Sequence, residues 1–169
     1  KNKISYKTSV DKRLDIYPIL VGNIERNSYY DENQTLRVEE KILDYDKINE
    51  TINLPSSTIT IMSLDQKHKI ENLIVNSSKT NDSALIIKLN KNTLKKIEFN
   101  QINIQNQILN KKIQNRNITG CINIIDSNFK IENIIVNGSN CEDGLNIVKS
   151  KGQIENIIIK NAISDGVDF

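Results

Sequence analysis

Residues Thr119–Asn140 read TGCINIIDSNFKIENIIVNGSN, Asp143–Ile163 read DGLNIVKSKGQIENIIIKNAI, and Asp165–Phe169 begin the phrase again as DGVDF. Ile131-Glu132-Asn133 returns as Ile154-Glu155-Asn156, and Asp143-Gly144-Leu145 returns as Asp165-Gly166-Val167. A unit this short, built of β-branched triplets divided by Asn, Gly, Ser and Asp, cannot bury its own apolar side. It has to stack on copies of itself.

The same phrase appears upstream as Ile70-Glu71-Asn72 followed by Leu73-Ile74-Val75. Glu98-Phe99-Asn100-Gln101 followed by Ile102-Asn103-Ile104 reads as a degraded copy. A second strand per coil runs through Leu85–Ile87, Ile122–Ile124, Leu145–Ile147 and Val167–Phe169. A third runs through Leu94–Ile97, Phe129–Ile131 and Gly152–Ile154. Three short strands in about two dozen residues is the pattern of an all-β, single-stranded right-handed parallel β-helix. Leucine-rich repeats are the rival, but their fixed Leu positions and helical half are missing.

Residues 63–169 are therefore assigned to β-helix coils. Residues 1–62 form an irregular, β-containing segment or entry cap, with helical spacing over Val38–Ile52 as the alternative to strands. The chain starts at Lys1 without Met and stops inside a repeat, so the β-helix is read as truncated at its C-terminus, with further coils expected beyond Phe169.

Period-two alternation sends Leu73/Val75, Ile102/Ile104, Ile134/Val136 and Ile157/Ile159 inward. It leaves Ile74, Ile135 and Ile158 outside, where either the N-terminal segment covers them or they serve self-association. The second strand gives an outer ladder of Ile86, Asn123, Asn146 and Asp168.

The 169 residues carry a net charge of only +2, which argues against a nucleic-acid surface, and no run is long and apolar enough to span a membrane. Cys121 and Cys141 are expected as two free thiols, because the repeat offsets them along the strand and between coils. The sole His68 reads as a solvated turn residue. Six Asn-x-Ser/Thr triplets carry little weight in so Asn-rich a chain.

Chemistry concentrates at one corner. Stacking sets Asp143 beside Asp165, about one strand spacing of ~4.8 Å apart, with Glu142 adjacent and Asp168 following beside Asn146. Carboxylates so placed suit Ca²⁺, with Glu142, Asp143 and Asp165 as candidate ligands. They also suit the two-carboxylate work of polysaccharide cleavage, with Asp143, Asp165 and Asp168 as candidates. Against both stands the turn-forming role of Asp-Gly, which a repeat copies. An insertion between Gln105 and Thr119 carries Lys111, Lys112 and Arg116. With Asn123, Asn146 and Asp168 these are the candidate ligand-binding residues, since loops leaving one side of a solenoid line its binding face.

The repeat resembles the right-handed β-helix segment of bacterial proteins associated with CotH-kinase-like domains. The match rests on Thr119-Gly120, Asp126-Ser127, Glu142-Asp143, Leu145-Asn146-Ile147, Ser150, Ser164-Asp165 and Asp168. Gly144 and Gly166 depart from it, where the pattern has Ala. The resemblance covers about the last third of the chain. It implies an extracellular or cell-surface setting and transfers no catalytic residue. Asp165-Gly166-Val167-Asp168 is also similar to the corresponding strand of polygalacturonase-type members of the pectate-lyase-like superfamily, but their Gly-His-Gly and Arg/Lys pair are not found here.

Three functions follow as expectations. The first is a non-catalytic module of a larger surface or exported protein, with polysaccharide as its partner. The second is a pectate-lyase- or polygalacturonase-like enzyme. The third is a trimerising fibre.

Overall fold

In the computed structural model, residues 24–55, 58–77, 84–101, 111–113, 116–139, 141–162 and 165–169 are described. Their regular structure is entirely β. Strands β1 (Ile24–Tyr30) and β2 (Leu36–Ile42) form an antiparallel hairpin, so the helical alternative over Val38–Ile52 is not adopted. Alternating charged residues in LRVEEKI suit a solvated edge strand better than a helix face, and Glu39 and Glu40 pair across to Tyr29 and Arg26.

The coils follow. Strands β3 (Asn49–Leu54) and β4 (Ile59–Leu64) make the first, and β5 (Asn72–Ser77) and the long, bent β6 (Ala84–Gln101) lie over them in parallel. A small hairpin, β7 (Lys111–Ile113) and β8 (Arg116–Ile118), interrupts the repeat. Then β9 (Gly120–Ile125), β10 (Asn128–Ser139), β11 (Asp143–Val148), β12 (Lys151–Ala162) and β13 (Asp165–Asp168) complete a parallel β-solenoid of about four turns.

Two parallel faces result. On one, β4, the first half of β6, β9, β11 and β13 stack, with β1 closing the N-terminal edge antiparallel to β4. On the other, β3, β5, the second half of β6, β10 and β12 stack. Between them lies the core, in columns such as Ile52, Val75, Phe99, Val136 and Ile159, or Leu85, Ile122, Leu145 and Val167. The column above Leu73 begins with Glu50, 4 % exposed, held by Lys47 at 2.8 Å and Lys41 at 3.5 Å. A buried carboxylate needs such pairing, and here it closes the mouth of the solenoid.

The register corrects the degraded copy. Ile97 and Phe99, not Ile102 and Ile104, lie over Leu73 and Val75; Ile102–Ile104 fall outside the described residues. The outer column is consequently Thr51, Ile74, Glu98, Ile135 and Ile158. Glu98, paired with Lys96 at 2.8 Å, separates Ile74 from the other two isoleucines, so the three form no continuous apolar stripe.

The cysteines form a disulfide, Cys121–Cys141, with Cα atoms 5.3 Å apart, overturning the expectation of two free thiols. One coil runs from Gly120 to Asp143, which stack directly. Cys141 therefore returns to the corner just beneath Cys121, although the two sit at different positions of the repeat.

His68 is also corrected. Its imidazole is buried, stacked on Tyr45 with ring centroids 4.5 Å apart, and Nδ1 accepts the Asp65 backbone N–H at 3.1 Å. A turn residue is drawn inside here because Tyr45, arriving from the preceding loop, gives the ring an apolar surface to lie on.

Candidate functional site

The expected ladder of Ile86, Asn123, Asn146 and Asp168 is in register, one residue per coil. It does not face solvent along its length. Ile86 and Asn123 are fully buried and Asn146 is 3 % exposed. The cause is a second apolar cluster outside the solenoid, in which Ile118, at the end of the insertion, packs with Ile59, Ile61, Ile86 and Ile125.

Asn123 spends its amide on the protein, donating to Leu85 O at 3.0 Å and Gly120 O at 2.6 Å and accepting Gly120 N–H at 3.1 Å. Asn146 donates to the Thr119 hydroxyl. Lys111, Lys112 and Arg116 lie on the strands of the β7–β8 hairpin.

The acidic corner is assembled as the repeat implies. Asp143 pairs in register with Asp165, and Asp165 N–H donates to Glu142 O at 2.8 Å. Asp143 is 4 % exposed, while Asp165 and Asp168 are exposed. Burial pushes the Asp143 carboxyl above its ordinary range. A hydrogen bond from Thr119 opposes that shift, and the charges of Asp168 and Asp165 reinforce it. Among the described residues, no three or more His, Cys, Asp or Glu side chains are grouped to hold a metal ion, the Glu142, Asp143 and Asp165 set included.

A different corner forms a concavity among the described residues, and sequence reading did not single it out. It is a groove of about 770 Å³ where the first face turns into the second. Each coil contributes the same turn: Ser63–Asp65, Lys88–Asn90, Asp126–Asn128 and Lys149–Lys151. Asp126 and Lys149 hold left-handed backbone there, with φ of 46° and 48°.

The floor is tied by serines. Ser127 Oγ accepts Leu89 N–H at 2.9 Å, and Ser150 Oγ accepts Ser127 N–H at 3.1 Å. Those hydroxyls are consumed, so the projecting groups are lysines, asparagines and two aspartates.

Ion pairing distinguishes the lysines. Lys41, Lys47, Lys69, Lys95, Lys96 and Lys130 each reach a carboxylate within 3.5 Å. Among the described residues Lys67, Lys88, Lys91, Lys149, Lys151 and Lys160 have no carboxylate within ion-pair distance, and three of them, Lys88, Lys149 and Lys151, line the groove. The Asp65 carboxylate meanwhile accepts Lys67 N–H at 2.9 Å and lies 3.2 Å from His68 Nδ1. Positional charge, not composition, was the missing signal: Ser150 and the Lys149/Lys151 pair around it are visible in the repeat, but the absence of a described carboxylate beside the two lysines is not.

Fold and site together define a parallel β-solenoid with a polar corner groove. No family model matches the chain, and neither a curated protein nor a solved structure is significantly similar to it. Among the described residues no helix is long and apolar enough to cross a membrane.

Proposed function

We propose that the chain is a non-catalytic β-solenoid module of an exported or surface protein, and that its corner groove binds an acidic polysaccharide. The observation that carries this reading is the gathering of Lys88, Lys149 and Lys151, none ion-paired among the described residues, along a groove to which four successive coils contribute. A groove parallel to the stacking axis suits an extended polymer, and no aromatic ring stands among its described lining residues for sugar stacking, so charge and hydrogen bonds carry recognition. The disulfide supports an oxidising compartment.

The test is binding of the chain to a uronate polymer, a sulfated glycan and a neutral glucan, with Lys88→Gln/Lys149→Gln/Lys151→Gln beside the wild type. Acidic polymers should bind, weaken with added salt, and lose at least about tenfold affinity in the variant, since each screened or deleted charge contact contributes. Acidic polymers bound equally by both proteins, or by neither, would remove the groove from the reading.

The second reading, a carbohydrate-cleaving enzyme, is favoured by one observation: Asp143 is held toward its neutral, proton-donating form beside two ionisable aspartates. Release of new reducing ends or unsaturated sugars that vanishes in Asp143→Asn would favour it over simple binding.

A further inference from the structure

The outer side of the second face carries a regular amide lattice. Asn53, Asn76, Asn100 and Asn137 lie in one column across four coils. Asn76 donates to Asn53 at 3.0 Å, Asn100 to Asn76 at 3.4 Å and Asn137 to Asn100 at 3.0 Å. A parallel, interrupted column holds Asn49 with Asn72 at 2.8 Å and Asn133 with Asn156 at 3.2 Å. Between these columns run Thr51, Ile74, Glu98, Ile135 and Ile158.

Ladder bonding explains only part of each amide. An Asn side chain has two N–H donors and two acceptor lone pairs, and an interior member of the ladder spends one of each on its neighbours. At Asn76 one donor and one acceptor remain, and the end members Asn53 and Asn137 keep at least as much, whereas the second donor of Asn100 goes to the Glu98 carboxylate; the column repeats every ~4.8 Å along the axis. The flanking apolar column is half-buried at Ile74 and Ile135 and 45 % exposed at Ile158. Charge is nearly absent, because Lys96 and Glu98 neutralise each other at 2.8 Å and only Lys160 stands at the end of an Asn column.

We propose that this face is a second polysaccharide surface, distinct from the lysine groove, which takes a neutral, extended glycan lying along the solenoid axis with about one sugar per coil. Hydroxyls meet the free amide groups of the Asn53–Asn137 column, and the C–H face of the sugar rings rests on Ile135 and Ile158. The surface suits a neutral polymer because its three described columns offer an acidic one no unpaired cation beyond Lys160. It rests on the same module reading as the groove but on none of the groove's residues.

The experiment measures wild-type binding to linear neutral glycans (a β-linked glucan, a mannan and chitin oligomers), at low and high salt, against Ile135→Lys/Ile158→Lys. Affinity should fall at least tenfold in the double variant, be indifferent to salt, and be unchanged by Lys88→Gln/Lys149→Gln/Lys151→Gln. Because the lysine substitutions on a β-face can disturb folding, a second measurement uses the wild type alone. Addition of the glycan should move the side-chain amide resonances of Asn76, Asn100 and Asn137 and leave those of Asn123 and Asn146 in place.

Failure of every neutral glycan to bind overturns the proposal, as does binding that moves no Asn-column amide. A solution dimer that Ile135→Lys/Ile158→Lys converts to monomer would also overturn it, by making the face an interface between copies. Loss of acidic-polymer binding alone strikes only the groove.

Discussion

Removing the Cys121–Cys141 bridge is the sharpest test of the coil geometry. The bridge joins residues 20 apart in sequence, whose Cα atoms come within 5.3 Å where Gly120 and Asp143 stack as neighbouring rungs. Loop-closure entropy for a ring of that size gives about 3 kcal/mol of stabilisation, by restricting the unfolded chain. Both sulfurs sit in the core, Cys121 2 % and Cys141 6 % exposed, so Cys121→Ala/Cys141→Ala also loses some apolar contact. Urea unfolding of the wild type, with and without reductant, reads the effect. With a slope of about 2 kcal/mol/M, the midpoint should fall by roughly 1.5 M on reduction. The double variant should show no response to reductant. Free thiols in the native oxidised protein, or a midpoint indifferent to reductant, would count against the stacking of these coils, since that stacking is what brings the two cysteines together.

Three further outcomes follow from particular contacts. Gly120→Ala should destabilise by at least about 1–3 kcal/mol, because its Cβ would stand 2.5 Å from Ile122 O and 2.7 Å from Asn146 N, whereas Gly166→Ala, whose nearest neighbour is 3.4 Å away, should be tolerated in thermal unfolding. Leu73→Ala, fully buried in the central columns, should cost about 2–5 kcal/mol in the same assay. For Asp143 the folded carboxyl titrates above its unfolded value, so the native state holds the proton more tightly and its stability declines as pH rises from about 4 through the folded value. Asp143→Asn should remove that decline, raising neutral-pH stability relative to acid, and urea midpoints at several pH values would show it.

The repeat was legible because stacking makes sequence periodicity and spatial neighbourhood the same thing. Ile131 over Ile154, Asn133 over Asn156 and Asp143 over Asp165 all follow from an offset read directly in the chain. Reading faltered wherever a position depends on something outside the repeat. Cys141 meets Cys121 through closure of one coil, a distance that period counting between coils does not measure. Asn123 and Asn146 occupy an outward column, and outwardness suggested solvent, yet Ile118 from the inserted segment packs over that face. The β6 register slipped because Glu98 stands where the neighbouring coils have Ile74 and Ile135, and a hydrophobic template slides past a charge to the next apolar pair. His68 was misplaced because Tyr45, which shelters it, lies 23 residues upstream in a segment with no visible period. The groove needed three-dimensional accounting as well: a lysine in a sequence is a charge, and only ion-pair geometry separates Lys130, which reaches Glu155 at 3.3 Å, from Lys149 and Lys151, which reach no carboxylate among the described residues. A solenoid thus announces its axis in the one-dimensional pattern and withholds its surface. The axis is set by residues that copy one another, whereas what covers the surface depends on residues such as Tyr45 and Ile118 that lie outside the repeat.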